Sequence, residues 1–404
     1  MARKFLEEIS FTRKDFFIVS ILLVNAFVWH YLTLMMINNI LTDLNVTSAE
    51  NFAIWAVYYT AIIASSIIGS ILSSKINRLN FLYFWMILGV VSSPLPILIN
   101  ISAVLPALII SILWGTSFGI GMPSCLAYFA DHTRIEKRGR KSGIIWLITN
   151  LSAPLLMILF GMFNLIVNLM IFTLWRASGL LILFLNPKKK FVSEAKKNGS
   201  FSSVFHDKSF ILYFIAWFMF MFIERSEAPV IRFFLDDLHY SIIAPIIGSF
   251  SALIGGIVSD WIGRKRMVLY GFIAFGIAYA MIGIAPDALF SRYFFLIVES
   301  ISTGIFLVTF VLILWGDLSK HGTKEKYYAI GEIPLFLTMI IQLLLGPYFM
   351  AIPNTSAFSL ASVFLFLAVL PLLYAPETLP EKKIRLRRLR KYVEAAKKVK
   401  KKYI

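Results

Sequence analysis

Apolar runs of about 20 residues recur along the whole chain, the length a helix needs to cross a hydrocarbon core of about 30 Å. Bounded by charged or turn residues, they fall at roughly 16–37, 52–73, 80–100, 104–130, 143–161, 165–186, 209–231, 242–259, 267–285, 293–316, 328–350 and 357–375. A chain inside lipid must satisfy its backbone hydrogen bonds internally, so each run is a helix or a barrel strand. The runs are continuous rather than alternating in polarity, which selects helices. Composition agrees: 59% of residues are apolar and 15% charged, too little charge to coat a soluble surface. The least marked boundary is FGMFN, between the fifth and sixth runs, where no charge intervenes. The first run follows MARKFLEEISFTRKD. It is too long for a signal-peptide core and lacks a small-residue cleavage site, so it is expected to stay as a first span. The single cysteine, Cys125, lies inside an apolar run. One cysteine excludes an intrachain disulfide and a cysteine-rich metal site, and the residue reads as packing.

Charge orients the spans. The N-terminus, loops 74–79, 131–142, 187–208, 260–266 and 317–327, and the tail after Pro376 together hold 35 of the 39 lysines and arginines. The loops between them on the other side hold Arg232 and Arg292. The positive-inside rule then places both termini in the cytoplasm, with a plasma membrane as the expected location. The net charge of +17 reads as topology and lipid attraction. Nucleic-acid binding is not expected, because no soluble domain large enough to carry a basic face is present.

The chain also repeats itself. Residues 69–78 read GSILSSKINR and residues 255–264 read GGIVSDWIGR, an offset of 186. At the same offset Asp131 of YFADHTR matches Asp317 of LWGDLSK, and Ser74 falls opposite Asp260. Two parallel halves of six spans are one of the repeat plans of secondary transporters, whose substrate site lies between the halves. The expected organisation is a first bundle over 1–186, a polar basic link over 187–208, a second bundle over 209–376 and a basic tail over 377–404.

GGIVSDWIGRKR resembles the loop signature of the major facilitator superfamily, carried here by Gly256, Asp260, Gly263, Arg264 and Lys265. APETLPEKK, after the last span, resembles the exit sequence of that family's metabolite and sugar porters. The resemblance implies an all-α membrane protein of twelve transmembrane helices in two parallel six-helix repeats. One departure stands out: the first copy keeps Arg78 but has Ser74 where the acid belongs and Asn77 where the turn glycine belongs. Gly255 and Gly256 permit close helix approach, and Gly263 a tight reversal. The resemblance implies that Asp260 meets the start of the fifth span near RGRKSG, latching the cytoplasmic ends, and that the lost acid at Ser74 makes this gate asymmetric.

Ionisable side chains within spans are costly and are functional candidates. Here they are His30, Arg176, Glu224, Arg225, Glu227, Glu299 and, near a cytoplasmic end, Glu332. In the resembled fold the first, fourth, seventh and tenth spans line the cavity, which takes in His30, Glu224, Arg225, Glu227 and Glu299. At about 1.5 Å per residue, His30, Glu224 and Glu299 fall at similar height in the outer half. A carboxyl group away from water favours its neutral form. Glu299, Glu224 and His30 are therefore the expected proton-coupling groups. Arg176, Arg225, Glu227, Asn25 and Trp114 are the expected cavity residues, with Arg176 equally open to a structural role near the middle of its span.

In the tail, Leu386, Leu389, Val393, Ala396 and Val399 recur at near-helical spacing among cations, an amphipathic helix suited to an anionic leaflet. No nucleotide-binding loop, metal-ligand cluster or nucleophile–base pair appears in the sequence, so neither a cofactor, a metal nor an enzymatic activity is expected. The reading is a monomeric secondary transporter of a small solute, proton-coupled symport of a hydrophilic metabolite such as a sugar or organic acid. The fourth-span run LWGTSFGIGMP lacks the arginine that opens it in many proton-coupled members. Alternatives are drug or metabolite efflux by proton antiport, and a membrane sensor that keeps the fold without transport.

Overall fold

The computed structural model describes residues 13–99, 103–184, 200–319 and 323–379. Twelve helices in it are long and apolar enough to cross a membrane. They are α1 (Phe16–Leu44), α2 (Ser48–Lys75), α3 (Arg78–Ile97), α4 (Val104–Asp131), α5 (Ile135–Gly161), α6 (Leu165–Phe184), α7 (Lys208–Arg232), α8 (Tyr240–Ile262), α9 (Arg264–Ile284), α10 (Leu289–Leu318), α11 (Lys324–Met350) and α12 (Asn354–Tyr374). The weakest sequence boundary is real: α5 stops at Gly161 and α6 starts at Leu165. Most helices run past the apolar runs that announced them, because their last turns carry charge into the wet interface. Link residues 187–199 and the tail from 380, with its expected amphipathic helix, lie outside the described residues.

The outward surface is greasy. Leu155, Leu174, Phe184, Phe290 and Tyr374 are each more than 60% exposed, as side chains facing lipid are free to be. The core is packed with rings: Trp29, Trp85, Trp114, Trp217 and Trp315 are fully buried.

The helices form two parallel six-helix pseudo-repeats. They meet along a seam where α5 packs against α8, and α2 against α11. Three irregularities interrupt this seam and were invisible as hydropathy. α4 is broken after Gly119, α11 is broken at Glu332, and α10 is π-helical over Val308–Leu314. Such departures from the regular helix concentrate at functional places.

The α5–α8 crossing is close enough that backbone meets backbone. A Cβ added at Gly256 would strike the Gly139 carbonyl, and one added at Gly139 would strike that of Gly256. The crossing therefore requires two facing glycines. Replacing Gly256 with Val should cost about 1–3 kcal/mol of packing. A lowered unfolding midpoint in detergent is the expected reading. An unchanged midpoint would contradict so close an approach.

Candidate functional site

The seam is shut at the basic end, where α2, α4, α8 and α10 finish and α3, α5, α9 and α11 begin. Asp260, the last acid of α8, is fully buried. Its carboxylate accepts the backbone N–H of Gly139 at 2.9 Å and of Arg140 at 3.0 Å, in the first turn of α5. Those N–H groups have no partner within their own helix, and the helix dipole favours an anion there. One carboxylate thus ties the second six helices to the first. Gly263, at φ 108°, makes the reversal that follows. Its conformation is one that side chains avoid. Glu377 of the exit sequence then caps α9, accepting Arg264 N–H at 2.8 Å and Lys265 N–H at 3.2 Å. The Lys265 ammonium donates to the Leu373 carbonyl at 2.8 Å.

Around Asp260 stands a buried network of four charges. Arg264 pairs with Asp260 at 2.8 Å and with Asp317 at 3.4 Å. Arg138, from the start of α5, pairs with Asp317 across the seam. It also donates to Thr133 Oγ1 at 3.0 Å and to the Ala130 carbonyl at 2.6 Å. Two cations and two anions cancel, the condition for burying charge at all.

A second network lies at the mirrored place. Arg78 pairs with Asp131 at 2.5 Å and, across the seam, with Glu325 of α11. Lys324 pairs with Asp131 from the other side of the seam. These residues map onto the first network by the offset of 186: Arg78 onto Arg264, Asp131 onto Asp317, and Lys324 onto Arg138. The exception is the second acid. Ser74, opposite Asp260, turns its hydroxyl to its own helix, donating to the Ile71 carbonyl at 2.6 Å. Glu325, which maps onto Gly139, supplies the missing charge from the opposite half. The two networks differ in wetness. The side chains of Arg264 and Asp317 are fully buried, whereas those of Arg78 and Asp131 are 20% and 33% exposed.

Further from the basic end, the seam holds a cavity lined by Phe27, Ser66, Phe118, Val311, Glu332 and Phe336 among others. His30 stands beside it. Its Nδ1 is 2.8 Å from the Tyr58 hydroxyl. Its ring stacks on Phe118 at 4.5 Å and meets Phe336 edge-on at 5.9 Å. Arg225, on α7, lies within electrostatic reach of His30, Tyr31 and Tyr59, from the opposite half. Its Nε has no hydrogen-bond partner.

Glu224 and Glu299 come together. Thr303 Oγ1 donates to Glu299 Oε1 at 3.2 Å and also neighbours the Glu224 carboxyl. Tyr240 and Tyr279 stand against the same pair. Glu299 and Glu227 are buried, at 4% and 6% exposure, and Glu227 Oε2 has no hydrogen-bond partner. Among the described residues, no lysine or arginine is ion-paired with any of these three acids. His30 is placed differently from the expectation that grouped it with Glu224 and Glu299. It bonds to α2 and stacks on α4 and α11, joining the aromatic wall rather than the acids.

Asn25 and Trp114 also sit elsewhere than expected, and Arg176 sits where the structural one of its two expected roles would put it. They are packed inside the first six helices and do not line the seam cavity. The Arg176 guanidinium is fully buried between Trp29 and Trp85, at 5.1 and 4.5 Å from their rings, and donates to Asn25 Oδ1 at 3.3 Å. The Asn25 amide donates to the Trp175 carbonyl at 2.5 Å, and the Trp114 indole to the Ser92 carbonyl at 2.8 Å. Aromatic faces take the place of a counter-ion. Hydropathy placed Arg176 mid-span but carried no sign of the two tryptophans that hold it.

The family model of the Major Facilitator Superfamily matches residues 18–259. No curated protein sequence matches the chain. Similar solved structures share the fold at low identity. One is the human organic anion transporter MFSD10 (TETRAN), 15% identical, with a TM-score of 0.63 over 89% of this chain and 99% of that one. A second is the proton:xylose symporter XylE bound to 6-bromo-6-deoxy-D-glucose, 16% identical, TM-score 0.69, over 90% and 96%. A third is the E. coli fucose:proton symporter FucP, 11% identical, TM-score 0.71, over 90% and 100%.

The displaced acid makes a specific expectation. Glu325→Gln leaves Arg78 and Lys324 facing Asp131 alone, and should lower the unfolding midpoint at low salt by a few degrees. Adding Ser74→Asp returns a carboxylate to the position that matches Asp260, and should recover much of the loss. High salt should mute both effects, because this network is partly wet. A double variant no more stable than the single one contradicts the substitution of one acid for the other.

Proposed function

The chain belongs to the major facilitator superfamily, and from that membership we propose that it carries a small solute across a cell membrane by alternating access, coupled to protons. The seam is the passage. The basic end faces the cytoplasm, by the distribution of lysine and arginine. The networks around Asp260 and Glu325 hold that end shut, and their rupture opens the passage inward. Gly256, Asp260, Gly263, Arg264, Lys265 and Arg78 are the gate, with Glu325 standing in for Ser74.

The observation that carries the coupling is the Glu224–Glu299 pair. Two carboxyl groups lie against one threonine on α7 and α10, with Arg225 and Arg232 within electrostatic reach of Glu224 but, among the described residues, no lysine or arginine ion-paired to either acid. Like charges so close cannot both stay ionised at little cost, so the pair is suited to hold a proton between them. The substrate end of the passage is Arg225 on one side and His30, Tyr31, Tyr58 and Tyr59 on the other. A guanidinium facing hydroxyls and an imidazole suits a carboxylate, which favours an organic acid over a sugar, with symport balancing the charge. Two solved neighbours carry sugar with protons and one carries organic anions, and at their identities they support the fold alone. Efflux of an amphipathic compound is the second reading. The aromatic lining of Phe27, Phe118 and Phe336 favours it, and raised resistance on expression would identify it.

The coupling is tested in proteoliposomes by comparing gradient-driven uptake with exchange in the absence of a gradient. Glu299→Gln and Glu224→Gln should each lose driven accumulation by about tenfold or more while keeping exchange. Wild-type accumulation in both variants rules the pair out as the proton carrier.

A further inference from the structure

Glu332 belongs to neither the acid pair nor the gate networks, and its surroundings are unusual for an acid. It is 7% exposed and lines the seam cavity, which is otherwise apolar apart from Ser66. Neither carboxylate oxygen makes a hydrogen bond of regular geometry, and the Trp315 indole N–H stands beside it as a donor. The cavity has room for the centres of water molecules over about 20 Å³, space for about one or two waters.

Its place in the helix matters as much. α11 is two pieces, Lys324–Gly331 and Ile333–Met350, and Glu332 is the joint. The short piece carries Lys324 and Glu325, the two members of the wetter gate network that come from α11. The facing wall, α10, is π-helical over Val308–Leu314. The helical turn that holds Arg78 and Asp131 thus ends directly on Glu332.

The groups around Glu332 offer no charge to balance an anion. α1 presents Phe27, α2 Ser66, and α4 Phe118, Met122, Pro123 and Leu126. α10 presents Val311 and Trp315. On its own helix Tyr328 donates to the Leu312 carbonyl at 3.0 Å. On α7, toward the basic end, the Tyr213 hydroxyl is taken up by the Pro376 carbonyl, to which it donates at 2.8 Å. His30 meets Phe336 edge-on and is bonded to Tyr58. Arg138 and Asp317, near Tyr328, neutralise each other.

We infer that Glu332 ties proton binding to closure of the passage at the cytoplasmic end. The closed arrangement holds this side chain as a neutral acid, because a carboxylate sealed in an apolar cavity with one indole N–H beside it and no counter-ion is disfavoured. Opening admits water, the O–H bond breaks, and the proton leaves to the water on that side. On closing, a carboxylate oxygen takes a proton from that water, or from the passage, and forms the O–H bond again. The inference rests on the seam being a transport passage. It adds an inner proton site to the Glu224–Glu299 pair. The sign follows from linkage: the closed form binds one more proton, so low pH favours it and rising pH favours opening.

The test needs neither substrate nor gradient. Ser66→Cys reports on the cavity from α2 and Leu335→Cys from α11. Native Cys125 is fully buried and gives a slow background. Labelling by a membrane-impermeant thiol reagent is followed in inside-out vesicles, normalised at each pH to a free thiol, whose own ionisation changes the rate. With Glu332 intact, the normalised rate should rise about tenfold or more across two pH units. Glu332→Gln should be slow and flat with pH, and Glu332→Asp should keep the response. Glu332→Gln with the full response overturns the inference, and so does a flat rate with Glu332 intact, a reading that needs no change at position 332. A response lost in Glu299→Gln but kept in Glu332→Gln assigns the proton to the outer pair, which overturns this inference and leaves the coupling reading standing. Failure of the Glu299 and Glu224 variants to change driven uptake, with Glu332→Gln flat, does the reverse.

Discussion

One carboxylate on two backbone N–H groups organises the basic end. Asp260 completes the first turn of α5, and α5 belongs to the other half of the molecule. Everything nearby answers to the charge this brings into a buried place. Arg264 neutralises Asp260 and reaches Asp317, and Arg138 closes the set. Removing one member of such a group strands a buried charge, at a typical cost of about 3–5 kcal/mol. A gate of this kind is strong when complete and weak when one partner moves. That behaviour suits a contact that must break and re-form in each proposed cycle.

The two networks show how a repeat can drift without losing its balance. The offset of 186 relates three of the four residues in each, and the fourth has changed halves. Glu325 occupies the position that in the other repeat is Gly139, whose backbone meets Asp260. The backbone-to-acid contact on one side has become a side-chain ion pair on the other. Both sets remain neutral, yet one is sealed and the other partly wet. Screening by salt reaches the second far more than the first, so the halves of the proposed gate would carry unequal strength.

Much of this was legible beforehand, because a bilayer leaves a chain few options. Span number follows from run length, and the parallel repeat from the motifs that match at an offset of 186. The pairing of Asp260 with the start of α5 is what the resemblance of GGIVSDWIGRKR to the superfamily's loop signature implies. The meeting of Glu224 and Glu299 follows from rise per residue along two neighbouring helices. What the sequence hid was direction around each helix. Arg176 lies at a cavity-like depth but turns inward, onto Trp29 and Trp85. Glu332 looked like a helix end because cations precede it closely, and the break in α11 instead carries it into the seam. Glu325 was hidden by the loss at Ser74, since the repeat itself points to position 74 and not across the seam. The offset that exposes the loss also marks Glu325 as an acid where the other copy has glycine, and that signal was available.

The central claim is that the buried network around Asp260 and Asp317 holds the basic end closed. Spin labels at Lys137 and Arg266, exposed on either side of the seam, measure that closure directly by pulsed electron resonance. With the network intact, the distance distribution should be dominated by one short population. Asp317→Asn, which leaves Arg138 and Arg264 without their shared acid, should move a large share to a longer distance. The same short distribution in both proteins would contradict the claim.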